Sequence, residues 1–252
     1  MSTWVLLRGL AREARHWGAF PALLERQLPM ADRVIALDLP GNGARWREAS
    51  PASVSGMVDA ARGQLLARAC QPPYVLMALS LGGMVALDWA ARARDELEAC
   101  VLINSSTALL SPFWQRLQPR AYGTVLRSLL PGPGRNRERA VLALTSARPP
   151  DPAVLAQWVD YAASQPVSAG NALRQLFAAA RFRAPTELAV PTLVLASRGD
   201  RLVSPQCSRA MAAAWRAALR EHPSAGHDLP LDDPAWVLDQ VARWWPAHFV
   251  RP

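Results

Sequence analysis

Short apolar runs alternate along this chain with stretches whose apolar residues recur at helical spacing. Residues 4–7, 33–37, 74–79, 99–103 and 192–196 have the length and near-continuous apolar character of buried strands, and another strand is expected near 217–221. Residues 17–28, 54–69, 81–93 and 234–245 carry the helical pattern. Strands alternating with helices imply βαβ units and a largely parallel sheet flanked by helices, an α/β fold. The rhythm breaks once. From 107 to 187 only helical stretches are legible, near 113–130, 137–147, 152–164 and 169–182, punctuated by Pro131-Gly132-Pro133-Gly134 and Arg148-Pro149-Pro150. The expected plan is an α/β core built from residues 1–106 and 188–252, with residues 107–187 inserted as a helical cap.

The strand at 74–79 runs directly into Ser80-Leu81-Gly82-Gly83, and a helix follows at once. A strand, a tight small-residue turn with a central Ser and a helix form the context of a nucleophile elbow, although Ala78 replaces the first glycine of G-x-S-x-G. An ordinary Gly-containing strand–helix turn would give the same local pattern. A serine hydroxyl is a weak nucleophile at neutral pH. It needs a base, and the base needs a group that orients it. Two later loops supply candidates. Asp200, in Gly199-Asp200-Arg201, follows the strand at 192–196, and His227, in Gly226-His227-Asp228, follows the last strand. Asp200 is also readable as a helix cap and His227 as a surface histidine, so the order Ser, Asp, His carries the argument. Asp228, next to His227 in the chain, is badly placed to bond that imidazole. Developing negative charge on a carbonyl oxygen would call for the backbone N–H groups of Leu81 and Leu10.

These segments resemble the α/β-hydrolase superfamily over nearly the whole chain. The match runs through Leu6-Leu7-Arg8-Gly9, Trp17, Asp38-Leu39-Pro40-Gly41-Asn42-Gly43, Ser80-Leu81-Gly82-Gly83, Gly199-Asp200 and Gly226-His227. Among its members, the small esterases with a four-helix cap are the most similar, including pimeloyl-carrier-protein methyl ester esterases. The resemblance implies a catalytic triad of Ser80, Asp200 and His227 cleaving esters or thioesters with an apolar acyl group. A same-fold lyase using the triad as base, and a non-catalytic ligand-binding member, remain as alternatives. Arg8 stands where the family usually has His.

Composition narrows the chemistry. The net charge is +8, and all 28 basic residues are arginine. Without lysine there is no Schiff base and no P-loop lysine, so no pyridoxal phosphate or other cofactor is expected. Four histidines without ligand spacing give no metal site. Cys70, Cys100 and Cys207 read as reduced thiols of a cytoplasmic protein, and no leader peptide or membrane span is expected. The expected cap holds ten arginines against four carboxylates, which is +6 of the total. Arg135, Arg137 and Arg139 are therefore candidates for docking an acidic acyl carrier protein, although such runs are also common on solvated helix faces. Nucleic acid fits poorly because no binding motif appears. Trp114 and Phe177 are candidates for lining an acyl pocket.

Overall fold

The computed structural model describes residues 2–28, 30–128 and 134–245. Among these residues, six strands, β1 (Ser2–Leu7), β2 (Ala31–Leu37), β3 (Tyr74–Leu79), β4 (Leu97–Ile103), β5 (Thr192–Ser197) and β6 (Ala218–His222), form one sheet in the order β2-β1-β3-β4-β5-β6. Every neighbouring pair is parallel. Strands β3 and β5 are buried at all six positions, which explains why their sequences run apolar without alternation.

Alternate side chains of these strands feed two cores. Trp4, Leu6, Val75 and Met77 face α1 (Phe20–Gln27) and α11 (Pro234–Trp244). Val5, Leu7, Leu76 and Ala78 face α2 (Val54–Ala67), α3 (Leu81–Arg92) and Met211 of α9 (Pro205–Trp215). The period-two geometry of a strand divides one apolar run between two helical layers. Cys70, Cys100 and Cys207 are free and buried, and burial pushes the Cys100 thiol up to about 12.

Between β4 and β5 the chain forms α4 (Phe113–Arg116), α5 (Tyr122–Ser128), α6 (Gly134–Thr145), α7 (Pro152–Ser164) and α8 (Ala169–Arg181). The single helix expected at 113–130 is instead two, and its last two residues lie outside the described ones. Pro119 explains the break, because the residue before a proline is driven out of the helical region, and Gln118 is extended at φ −68°, ψ 141°. Two helices were not delineated from sequence. One is α9, which begins at Pro205 with the Ser204 hydroxyl accepting the Gln206 N–H. The other is the single turn α10 (Leu229–Asp232).

The strand order places a topological switch between β1 and β3. The loops leaving their C-terminal ends diverge there and open a crevice.

Candidate active site

Ser80 sits at that switch, in the first turn beyond β3. Its φ of 56° and ψ of −116° place a non-glycine residue in a strained region. The strain is held by its surroundings. The Ser80 N–H donates to the Ile103 carbonyl at 2.9 Å, and the Ser105 hydroxyl donates to the Ser80 carbonyl at 2.8 Å. Gly83 is required because a Cβ there would lie 2.6 Å from the Ser105 side chain. At Gly82 a Cβ would lie 2.8 Å from the Arg8 carbonyl oxygen and closer still to that of Leu7. The N-terminus of α3 therefore packs directly on the end of β1.

Beyond β5, Asp200 is buried and fully engaged. Its Oδ1 accepts the N–H groups of Leu202 and Val203 at 2.8 and 2.9 Å, and its Oδ2 lies 2.7 Å from His227 Nδ1. That contact selects the imidazole tautomer with the proton on Nδ1 and leaves Nε2 as the basic nitrogen. His227 and Ser80 line one cavity of about 400 Å³, together with Leu10 and Leu81. Neither the Leu10 nor the Leu81 N–H donates to another group among the described residues; the latter is one of the orphan donors of a helix start. Ser80 and His227 thus reach one cavity from different loops, with Asp200 bonded behind the imidazole and the Leu10 and Leu81 backbone in the same lining. Such a set can support nucleophilic attack on a carbonyl.

Arg8 takes the place the resemblance gives to histidine, and its partner is Asp228. The two form a forked pair at 2.5 and 3.0 Å, with both side chains 3% exposed. Arg8 also stands 4.9 Å from the centre of the Trp17 ring. This pair ties the loop after β1 to the loop carrying His227, and it explains why Asp228 does not compete for the imidazole.

Several contributors had no signature in the sequence. Asn104, in the left-handed region at φ 45°, accepts the Ser197 N–H at 2.8 Å and donates to the His227 carbonyl at 2.9 Å. It thus fixes the His227 loop to the end of β5. Asp232 accepts the N–H groups of Gly226 and Ala147 at 2.6 and 2.8 Å, joining that loop to the helical insertion. Gln175 of α8, wholly buried, accepts the Ala11 N–H at 2.8 Å beside Leu10.

The remaining expected residues divide. Arg137 lines the cavity wall and lies 3.5 Å from Glu138, which in turn pairs with Arg12 at 2.7 Å. Arg135 and Arg139 are exposed and outside it. Trp114 and Phe177 do not line the cavity, which corrects the expectation of an acyl-lining role. Trp114 packs edge-on against Phe113 on the exposed turn α4, and Phe177 carries the Arg181 guanidinium on its outward ring. The apolar lining comes instead from residues such as Met84, Val125, Val141, Leu144 and Leu176. His16, in the polar end of the cavity, is held well below its ordinary value by burial and by the guanidiniums of Arg12 and Arg8.

Comparison with known proteins agrees with this architecture. A pimeloyl-[acyl-carrier protein] methyl ester esterase of Chromobacterium violaceum is 36% identical over 107 residues, which is 42% of this chain and 39% of that protein. The match therefore spans well under half of the relative's length. An esterase from Thermogutta terrifontis superposes with a TM-score of 0.76 at 24% identity, covering 98% of this chain and 91% of that one. The enol-lactonase of Burkholderia xenovorans LB400 superposes with a TM-score of 0.78 at 20% identity, over 96% and 90%. The alpha/beta hydrolase family model matches residues 4–240, and with a parallel sheet of this order and a strained serine at its switch point, the chain belongs to the alpha/beta hydrolase family.

Proposed function

We propose that this chain is a serine hydrolase cleaving carboxylic esters or thioesters that carry an apolar acyl group. One observation carries the reading. Ser80 at a strained elbow shares a cavity with His227, whose Nδ1 lies 2.7 Å from a buried, doubly anchored Asp200. In this reading His227 Nε2 takes the Ser80 proton as Oγ attacks the carbonyl, and Asp200 stabilises the imidazolium. The N–H groups of Leu10 and Leu81 receive the oxyanion. His227 then returns the proton to the leaving alcohol or thiol, and water releases the acyl group from Ser80 by the same route.

Residues 107–187 act as the lid of this site. An acyl-carrier-protein ester is the favoured substrate class, supported by the name of the C. violaceum relative and by the +6 charge of the insertion. Arg137 at the cavity wall, with Arg135 and Arg139 on the same helix, would meet the acidic carrier. The three free, buried cysteines support a cytoplasmic setting.

A p-nitrophenyl ester series with labelling by a fluorophosphonate probe tests the chemistry. Ser80→Ala is expected to abolish labelling and to lower turnover by several orders of magnitude while the fold persists. Unchanged turnover in that variant overturns the assignment. Comparing free methyl esters with the same acyl groups on carrier protein tests the substrate class.

A further inference from the structure

We propose that the outer face of α4 and α8 docks onto an anionic lipid surface. Among the described residues, Leu66, Leu109, Phe113, Trp114, Leu126, Leu173 and Phe177 are the large apolar side chains left strongly exposed. All but Leu66 lie in the helical insertion. Solvent-exposed apolar side chains gathered on one part of a surface mark an interaction site rather than ordinary scatter.

Helix α8 displays the arrangement. Its inner stripe of Ala172, Gln175 and Ala178 is buried, whereas Leu173, Phe177 and Ala180 form a second stripe, at i, i+4 and i+7, facing solvent. Arg174 and Arg181 flank that stripe, and an apolar groove runs between it and Ala52. The α4 part of the patch is tied to the C-terminal end of α8. Arg116 of α4 donates to the Ala180 and Ala179 carbonyls, and the Ala108 N–H donates to the Phe182 carbonyl at 3.0 Å. Leu109 and the Phe113–Trp114 pair are thereby brought beside the stripe.

The charge is one-signed. Residues 107–128 and 169–183 contain six arginines and no Asp or Glu. Arg116 is used inside the protein, but Arg120, Arg127, Arg174, Arg181 and Arg183 pair with no described carboxylate. Trp, Phe and Leu projecting among arginines, with no acid between them, suit the boundary between anionic headgroups and acyl chains. No described helix is long and apolar enough to cross a membrane, so the attachment is peripheral. Leu117, directly after α4, and Leu176 and Ala179 of α8 line the cavity, so an amphiphile held at this face lies one helix away from it. The docking does not depend on the serine chemistry.

Sedimentation of the full chain with vesicles tests this. Phosphatidylcholine vesicles containing about 30 mol % phosphatidylglycerol are expected to bring the protein down, and pure phosphatidylcholine far less. Salt at about 0.5 M should weaken the anionic binding by about tenfold or more. The pair Phe113→Ser and Leu173→Ser should lower partitioning by at least about tenfold. Their hydrolysis of a soluble short-chain ester and their thermal midpoint should stay unchanged. Arg174→Gln with Arg181→Gln should reduce the anionic component alone. Failure to sediment with either vesicle overturns the proposal, as does equal, salt-insensitive binding to both. Capture by an acidic carrier protein that the Phe113 and Leu173 changes abolish, without vesicle binding, assigns the face to a protein and also overturns it. Should the apolar double variant misfold, the lipid contrast and the arginine variant still decide.

Discussion

Asp228→Ala isolates the Arg8–Asp228 pair. Both side chains are 3% exposed, and the two hydrogen bonds at 2.5 and 3.0 Å are the only polar contacts described for the carboxylate. Removing it leaves a guanidinium in a nearly dry site, with Arg8 Nε already lacking a hydrogen-bond partner. Breaking one side of a pair buried this deeply costs about 3–5 kcal/mol. That is a large share of the roughly 5–15 kcal/mol that holds a domain folded. Arg8→Met with Asp228→Leu removes both charges at similar volume and keeps an aliphatic stem beside Trp17. Its stability should fall within about 1 kcal/mol of the parent protein or above it. Urea unfolding followed by tryptophan fluorescence and circular dichroism gives all four corners of the cycle, with the midpoint read at constant m. If Asp228→Ala costs less than about 1 kcal/mol, or if the double variant is as unstable as the two single changes summed, the pair is not the tether described here.

Asp200→Asn keeps the shape of the carboxylate but not its charge, and turnover of a p-nitrophenyl ester should fall by about 10³–10⁴ with little change in KM. A loss below about tenfold in kcat would remove Asp200 from the chemistry. Gly82→Ala forces a methyl against the Arg8 and Leu7 carbonyls, so stability measured by urea should drop by about 1–3 kcal/mol. His16 gives a pH signature. Burial and the neighbouring arginines hold it below 6.5, so as pH falls the unfolded chain takes up the proton first and stability declines from about pH 6.5 toward the folded value. His16→Gln should flatten the urea midpoint between about pH 7 and pH 5, and an unchanged slope would contradict this. Cys100, pushed up to about 12 and fully buried, should resist a thiol reagent until the protein unfolds.

Local patterning was enough to determine the α/β alternation, the run of helices between the fourth and fifth strands, and the order of Ser80, Asp200 and His227 along the chain. Strand period, helical period and the small-residue turn at Ser80-Leu81-Gly82-Gly83 are properties of neighbouring residues, so they are visible in the chain itself. The Gln118–Pro119 break was also local, but the apolar pattern running through it masked the proline.

What tertiary structure alone decided is which distant groups meet. Arg8 and Asp228 are 220 positions apart, and their pairing depends on β1 lying where the sheet order reverses. Asn104, Gln175 and Asp232 are unremarkable polar residues until folding buries them against backbone groups that need partners. The outward turn of Phe177 follows from how α8 is rotated on the core, because its inner face is taken by Ala172, Gln175 and Ala178, whereas α4 buries no residue and leaves Trp114 in solvent. Spacing along a helix says which residues share a face. Only the packed neighbours determine which face is dry.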